Sequence, residues 1–172
     1  MQVFAPIHSE RLLLRRLEIG DAEALFAYRS LPEIYRYQTW QPEKVADATE
    51  FISNKIVATP NLPGTWFQLA LCLRLGEKMI GDVGIHFLPE DDQAELGYTL
   101  HPQYQRKGYA FEALTAVGDY LRSLQKRRVI ASVDPNNAPS IRLLEKWGAK
   151  RVWEQPAGSL ADHDAIFHKA LT

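Results

Sequence analysis

The order of apolar and polar residues along the chain predicts a regular succession of strands and helices. Short apolar runs that end at turn residues are typical of strands, and seven such runs occur. The predicted strands cover residues 11–17, 66–75, 79–88, 95–100, 129–133, 150–154 and 164–170. Gly76 and Glu77 separate the second strand from the third, so these two strands are expected to form an antiparallel hairpin.

Apolar residues spaced three or four positions apart predict four helices between the strands. The first begins after Asp21, a residue type that caps helices, and Pro32 ends that helix or starts a new turn. The second is expected to begin at Pro42, because proline is favoured at the first helical position. The third covers residues 108–124, and the fourth covers residues 138–147.

The order of these elements predicts one α/β (α+β) domain that covers residues 1–172. No repeat, linker or low-complexity segment interrupts the sequence. The strand, helix and strand between Glu95 and Val133 should form a right-handed crossover that joins two parallel strands. We therefore expect a mixed, mostly antiparallel, seven-stranded sheet with helices on both faces.

The composition argues against several kinds of partner and binding site. Lys and Arg total 20 against 21 Asp and Glu, so the charge gives no reason to expect a nucleic acid or an anionic membrane as partner. Cys72 is the one cysteine, which excludes an internal disulfide and a thiolate metal cluster, and its apolar neighbours predict that it is buried. The sequence has no signal segment and no apolar run of bilayer length, so we expect a soluble cytoplasmic protein without a metal.

One turn carries the clearest chemical signal. Residues 105–110, Gln-Arg-Lys-Gly-Tyr-Ala, lie between a predicted strand and the start of a predicted helix. Amides at a helix N-terminus bind anions, Gly108 lets the backbone approach a ligand, and Arg106 and Lys107 add positive charge. A pyrophosphate would suit this turn. A tight turn without a ligand is the alternative, and the segment matches neither a P-loop nor a dinucleotide fingerprint.

Two segments resemble successive motifs of the GCN5-related N-acetyltransferases. Residues 95–113, Glu-Leu-Gly-Tyr-Thr-Leu-His-Pro-Gln-Tyr-Gln-Arg-Lys-Gly-Tyr-Ala-Phe-Glu-Ala, are similar to the cofactor segment of that family. Residues 136–149, Asn-Asn-Ala-Pro-Ser-Ile-Arg-Leu-Leu-Glu-Lys-Trp-Gly-Ala, are similar to its next motif. Ala110 replaces a glycine of many members, and Ala149 replaces an aromatic residue. Neither change removes a group that the chemistry needs.

The opening of the chain narrows the resemblance. Residues 10–15 and residues 21–25 look like the branch of the family that acetylates the N-termini of ribosomal proteins. The resemblance implies an acyl-CoA N-acyltransferase fold and direct transfer of acetyl from acetyl-CoA to a primary amine, in a ternary complex of a monomer or homodimer. The favoured acceptor is a protein or peptide N-terminal α-amine. The alternatives are a small amine (an antibiotic, a polyamine or an amino acid) and a non-catalytic acyl-CoA-binding module.

The resemblance also assigns residues to acetyl-CoA. The backbone amides of the turn would hold the pyrophosphate, and the preceding strand would pair with the pantetheine arm as a neighbouring strand does. The Leu100 amide would face the thioester carbonyl and stabilise an oxyanion, while Asn136 would bond the pantetheine or only form a turn. The residues so assigned are Tyr98, Leu100, Gln105, Arg106, Lys107, Gly108, Tyr109, Ala110, Phe111 and Asn136.

Two residues are the candidates for catalysis. Glu95 lies on the opposite strand face from its apolar neighbours, so it could deprotonate the amine directly or through water, or be an ordinary solvated residue. His86 is a second candidate for the base. Ser140 falls in the first turn of a predicted helix, where the family has a residue that can protonate the leaving thiolate. Local hydrogen bonding is the alternative role for this serine.

Aromatic residues are the last candidates. They fall in or near the region that shapes the acceptor cleft in this family, and they are Tyr35, Tyr37, Trp40 and Trp66. Such rings could clamp a peptide or an aromatic substrate. Packing in the core is the alternative.

Overall fold

The computed structural model describes residues 4–89, 92–154 and 165–172, apart from the side chains of residues 153 and 154. The strands are β1 (Ile7–His8), β2 (Leu12–Arg16), β3 (Thr65–Leu73), β4 (Met79–Phe87), β5 (Gln93–Leu100), β6 (Arg128–Val133), β7 (Lys150–Glu154) and β8 (Ala165–Ala170). The helices are α1 (Ala22–Arg29), α2 (Pro32–Tyr35), α3 (Val45–Asn54), α4 (Tyr109–Ser123) and α5 (Ala138–Lys146). Single 3₁₀ turns at Ile19–Asp21 and Pro102–Tyr104 precede α1 and α4.

The strands form one sheet in the order β1-β2-β3-β4-β5-β6-β8-β7. The described pairs are antiparallel except β5 with β6, which are parallel and connected through α4. The expected mixed, mostly antiparallel sheet is therefore confirmed. Within the residues that the structure describes, the sheet has eight strands rather than seven, because Ile7 and His8 pair with β2 as an additional strand. A strand of two residues is too short to show an alternating pattern in sequence.

The second predicted helix begins later than expected. The expected start is Pro42, but α3 starts at Val45. The Asp47 carboxylate accepts hydrogen bonds from the backbone amides of Glu43 and Lys44, at 2.8 and 3.0 Å. These bonds satisfy amides just before the helix, so the helical conformation begins after Lys44, which is itself extended.

Asp21 is the N-cap residue of α1, as predicted, but its side chain makes no capping hydrogen bond to that helix. Its carboxylate instead accepts two hydrogen bonds of 2.7 Å from the Arg15 guanidinium and one of 2.9 Å from the Glu18 amide. The hydrogen bond with Asp21 raises the pKa of Arg15 and ties β2 to the turn before α1. Pro32 begins the short helix α2, so it starts a new turn.

Helices cover both faces of the sheet, as predicted. Alternate side chains of a strand point to opposite faces, so β3 shows both layers. Phe67 and Leu69 pack in the core with α4 and α5, whereas Ala70 and Cys72 pack with α1 and α3. Cys72 is fully buried, as expected, and burial raises the pKa of its thiol. Within the described ranges, no helix has the length and apolar character needed to cross a membrane.

The parallel strands β5 and β6 separate after a short stretch. Their pairing begins with Gln93 opposite Arg128 and ends with Glu95 opposite Ile130. Beyond this point β5 continues to Leu100 with partners on β4, and β6 continues with partners on β8. A gap therefore opens in the middle of the sheet, between the second halves of β5 and β6.

Candidate active site

A cleft of about 740 Å³ occupies the gap between β5 and β6. We call the side of the sheet that packs with α1 and α3 the front face, and the side that packs with α4 and α5 the rear face. Glu95 and Gly97 point to the front face, whereas Leu96 and Tyr98 point to the rear face, because side chains alternate along β5. All four residues line the cleft, which is therefore bounded by residues from both faces.

The backbone of β5 directs polar groups into this gap. The His101 amide donates to the Ile80 carbonyl at 2.8 Å, and in an antiparallel pair such bonds involve every second residue. The amides of Tyr98 and Leu100 occupy the alternate positions, so they point away from β4 and toward the gap. The Leu100 carbonyl points the same way and accepts a hydrogen bond from Gln105 Nε2 at 3.1 Å. This side of β5 is therefore an unpaired strand edge, and an extended ligand in the gap could form backbone-type hydrogen bonds with it.

A pair of hydroxyl groups lies on the rear face of the cleft. The Tyr98 phenol oxygen and Ser140 Oγ are 2.6 Å apart, and either can donate. Burial raises the pKa of Tyr98 to about 12 despite the opposing hydrogen bond with Ser140, so the phenol keeps its proton near neutral pH. The Ser140 amide donates to Asn137 Oδ1 at 3.3 Å in the first turn of α5. Ser140 thus has a proton donor within hydrogen-bonding distance.

Glu95 lies on the front face beside the other candidate base. Glu95 and His86 are cross-strand partners, and His86 Nδ1 lies 3.3 Å from Glu95 Oε2. The His86 ring stacks on Trp66, with 4.8 Å between the ring centroids. Glu95 lines the cleft and keeps 29% of its side chain exposed. Its carboxylate can therefore meet a molecule in the cleft, while His86 orients it.

The turn of residues 105–110 leads from the end of β5 into α4. Arg106 and Gly108 both have left-handed backbone conformations, with φ of 60° and 83°. The first hydrogen bond of α4 runs from the Glu112 amide to the Gly108 carbonyl, at 3.0 Å. The amides of residues 109–111 precede that bond, so they have no partner within the helix and can bind an anion. The turn therefore offers backbone amides to an anion, and the binding of a pyrophosphate there stays a prediction.

Arg11 holds this turn from the side of β2. Its Nη1 donates to the Lys107 carbonyl at 2.9 Å, its Nε pairs with Glu112 at 2.7 Å, and its guanidinium lies 4.4 Å from the Tyr109 ring centroid. The Arg11 amide and the Ser9 hydroxyl also donate to Glu112. The sequence alone does not predict this role, because Glu112 is 101 residues away along the chain and no local pattern connects the two residues.

A buried polar network lies under the front face. Asp82 is fully buried, and its carboxylate accepts hydrogen bonds from the Arg29 guanidinium at 2.5 Å, from Gln68 Nε2 at 2.5 Å and from the Tyr28 hydroxyl. Burial alone would lower the pKa of Arg29, but the Asp82 charge outweighs this effect and raises it. Arg29 and Gln68 reach the cleft. The sequence signal for this network is an aspartate inside an apolar strand, which was not among the predicted site residues.

Asn136 is a predicted site residue whose side chain makes a local contact. Its backbone amide and its Nδ2 donate to Asp134 Oδ1, at 2.8 and 3.0 Å, which is the turn-forming alternative. The Tyr37 hydroxyl donates to its carbonyl at 3.3 Å. The next residue, Asn137, lines the cleft. A bond from Asn136 to pantetheine stays a prediction.

Most of the predicted aromatic residues reach the cleft. Tyr37, Trp40 and Trp66 line it, whereas Tyr35 lies in α2 outside the described lining. Trp40 also stacks on Phe51, with 4.6 Å between the ring centroids. These rings give the front part of the cleft largely apolar walls.

Known proteins share this sequence pattern. The family model described as the acetyltransferase (GNAT) domain matches residues 11–150. The chain belongs to the GNAT acetyltransferase family. The uncharacterised N-acetyltransferase p20 of Bacillus licheniformis is 33% identical to this GNAT chain over 164 residues, which cover 91% of each protein. The uncharacterised N-acetyltransferase YnaD of Bacillus subtilis is 32% identical over 84% of this chain and 82% of its own.

Solved structures share the GNAT fold over almost the whole chain. A GNAT-family acetyltransferase from Bacillus anthracis has a TM-score of 0.81 at 25% identity, over 96% of this chain and 97% of its own. A Vibrio cholerae protein described as a candidate ribosomal-protein-serine acetyltransferase has a TM-score of 0.79 at 27% identity, over 99% of both chains. The protein is therefore an acetyl-CoA-dependent acetyltransferase that acts on an amine, as expected from the sequence.

The turn contact between Arg11 and Glu112 should make the GNAT domain sensitive to acid. Burial alone would raise the pKa of Glu112, but hydrogen bonds from the Arg11 amide, Ser9 and the Arg11 side chain outweigh it and lower that pKa. The carboxylate therefore contributes stability above its unfolded pKa of about 4.3, and this contribution is lost as the pH falls below that value.

Glu112→Gln should lower the free energy of unfolding at pH 7 and flatten its decline below about pH 4.3. Urea denaturation at neutral and acidic pH measures both effects. Glu145→Gln, at an exposed position of α5, is the matched control and should follow the unsubstituted protein. A decline with the same slope in Glu112→Gln and in the control would show that the Glu112 contact does not couple stability to pH.

Proposed function

We propose that this enzyme acetylates the N-terminal α-amine of a protein or peptide. The observation that carries the proposal is the cleft in the parted sheet, where Glu95 on the front face and the Tyr98–Ser140 pair on the rear face meet one opening. A base and an acid on opposite sides of one opening suit the attack of an amine on a thioester. The likeness to the Vibrio cholerae protein, described as a candidate ribosomal-protein-serine acetyltransferase, supports a protein acceptor.

Acetyl-CoA fits the gap as an additional strand. The amides of residues 109–111 (Tyr109, Ala110, Phe111) and Gly108 would hold the pyrophosphate, with charge from Arg106 and Lys107. The Tyr98 backbone would pair with the amide groups of the pantetheine arm, since its own amide points into the gap, and the Leu100 amide points into the gap where the thioester would lie. Gln105 supports this edge through its hydrogen bond to the Leu100 carbonyl.

The front and rear faces of the sheet would supply different groups for the reaction. Acetyl-CoA supplies the thioester that the amine attacks. An α-amine has an ordinary pKa of about 7.7–8.0, so part of it is already neutral near neutral pH, and Glu95 would take one N–H proton of this neutral amine, directly or through a water, as it attacks. The Leu100 amide would stabilise the negative charge that develops on the thioester oxygen. Ser140 would give its proton to the departing sulfur, and the Tyr98 hydroxyl can donate in turn to Ser140 Oγ.

The charges at the front of the cleft favour an acceptor without a carboxylate beside its amine. Arg29 lines the cleft, but its guanidinium is paired with the buried Asp82 and also donates to Gln38 at 3.2 Å. The other charged residues at the front of the cleft are the acids Asp47, Glu50 and Glu95 and the base Lys55. A free amino acid would add a further carboxylate to this mainly acidic set, and Arg29 is already neutralised by Asp82. A peptide N-terminus carries a neutral amide at that place, and Trp40 and Trp66 offer apolar walls for the following residues.

A panel of acceptors tests the proposed substrate class. With acetyl-CoA at saturation, peptides that begin with Ser or Ala should release free thiol with kcat/KM at least about tenfold above free serine, free alanine and spermidine. The same peptides with a blocked N-terminus are the control and should be inert. Turnover of a small amine together with failure of every peptide would overturn the protein acceptor and leave the acetyltransferase activity standing.

Calorimetric titration with acetyl-CoA tests the cofactor turn. We expect one-to-one binding in the micromolar range. Gly108→Glu places a carboxylate where the pyrophosphate would bind, and like charges in contact should weaken binding by at least about a hundredfold. Gly76→Glu is the matched control, because Gly76 has a similar φ of 79° and a Cβ there would meet no atom within 4 Å. Equal affinities in the two variants would refute the assignment of the turn.

Substitution of Glu95 and Ser140 tests their proposed roles as base and acid. Glu95→Gln should lower kcat by about 10² or more, the usual contribution of general base catalysis, without changing the affinity for acetyl-CoA. Ser140→Ala should lower kcat less, by roughly tenfold, because a thiol with a pKa of about 8.5 leaves readily near neutral pH. Glu145→Gln and Ser123→Ala, at exposed helix positions, are the controls. Full activity in either test variant would remove that residue from the mechanism.

A further inference from the structure

On the front face, one row of cross-strand neighbours on β3, β4 and β5 carries few side-chain atoms. Gln68 of β3, Gly84 of β4 and Gly97 of β5 are successive partners in the register of the sheet. Fuller rows flank it, formed by Trp66, His86 and Glu95 on one side and by Ala70, Asp82 and Thr99 on the other. We call this row the glycine trough (Gln68, Gly84 and Gly97), and all three of its residues line the cleft.

The glycine trough is covered at Gly84 and open at Gly97. A Cβ at Gly84 would lie 2.7 Å from Gln68 Oε1 and 3.1 Å from the Trp66 ring, so these two side chains extend over that residue. A Cβ at Gly97 would meet no atom within 4 Å. Space for a small group therefore remains above Gly97, with the Gln68 oxygen on one side and Glu95 two residues earlier on β5.

The buried network determines which end of the Gln68 amide faces this space. A carboxylate only accepts hydrogen bonds, so the Gln68 atom that lies 2.5 Å from Asp82 is the amide nitrogen Nε2. Turning the amide over would place its oxygen against a buried carboxylate. Gln68 therefore presents its carbonyl oxygen over Gly84 and offers the cleft a hydrogen-bond acceptor in a fixed position.

We propose that Gln68 is a specificity residue that selects primary amines as acceptors, an inference that rests on the acetyl transfer proposed above. When a neutral primary amine is acetylated, one N–H proton goes to the base and the other stays in the amide product. Glu95 takes the first, and Gln68 Oε1 accepts a hydrogen bond from the second. A secondary amine has a single N–H, which the base removes, so its acylation leaves the Gln68 oxygen unpaired.

Two acceptors that differ by one methyl group test this role. One is a peptide that begins with alanine, and the other is the same peptide with N-methylalanine at its N-terminus. The enzyme should favour the primary amine in kcat/KM by at least about tenfold, because a site built to hydrogen-bond a substrate N–H rejects an analogue that lacks it. In Gln68→Met, a side chain of similar volume without the oxygen, the preference should fall to about threefold or less.

The readouts separate a specificity role from a structural one. Affinity for acetyl-CoA should be the same in the unsubstituted enzyme and in Gln68→Met. If Gln68→Met lowers kcat/KM for both peptides equally and keeps their ratio, Gln68 is only structural and the inference is wrong. A lack of preference in the unsubstituted enzyme would also overturn it. Failure of the unsubstituted enzyme to acetylate any amine would overturn the proposed function itself, and this inference with it.

A second variant keeps the test decisive if Gln68→Met does not fold. Gly97→Ala leaves the contacts of Asp82 intact and places a methyl group in the open space above residue 97. It should lower kcat/KM for the alanine peptide by at least about tenfold while acetyl-CoA affinity is retained. Gly20→Ala is its matched control, since a Cβ there also meets no atom within 4 Å and the position is exposed. Unchanged kcat/KM in Gly97→Ala would overturn the inference.

Discussion

The active site depends on the separation of β5 from β6. Had the two strands stayed paired, the amides of Tyr98 and Leu100 would have been satisfied by β6 and no cleft would exist. Because pairing ends at Glu95, an edge lies inside the sheet, and each backbone amide that is buried there without a partner costs about 1–3 kcal/mol. A linear ligand that carries its own amide groups can satisfy this edge, which makes the pantetheine arm a physically suitable occupant.

Beyond Glu95, β5 is held in the sheet by its pairing with β4. β5 pairs with β4 from Phe87 opposite Ala94 to Gly81 opposite Leu100, well past the point where β6 departs. Gly81 allows an unusually close approach there, because a Cβ would lie 2.3 Å from the Thr99 carbonyl oxygen. The β4–β5 pair therefore acts as one rigid support. It presents Glu95 to the front face, Tyr98 to the rear face and backbone amides to the gap between them.

Local sequence patterns predicted the parts of the site that are local in the chain. A few consecutive residues determine the turn before α4 and the position of Ser140 in the first turn of α5. The same holds for the alternation along β5, which points Glu95 and Tyr98 to opposite faces of the sheet. Arg11 and Gln68 escaped prediction, because their roles depend on partners contributed by other strands and helices. The register of three strands creates the glycine trough, and periodicity within one strand carries no information on register. The same limit applies to β1, whose two residues are strand only through pairing with β2.

The buried pair of Asp82 and Arg29 is hard to explain by stability alone. Removing two charges from water costs several kcal/mol each, and apolar replacements of such pairs are often neutral or stabilising. The pair has a more specific effect on geometry, because it fixes the orientation of the Gln68 amide. The Asp82 carboxylate accepts hydrogen bonds from Arg29, Tyr28 and Gln68 together, and this leaves the Gln68 amide one orientation only. Arg29 cancels the charge, so the cleft gains a fixed neutral acceptor rather than a second carboxylate beside Glu95. A second carboxylate would hold the acceptor amine in its protonated form, which cannot attack, whereas a neutral oxygen orients the amine without opposing its deprotonation.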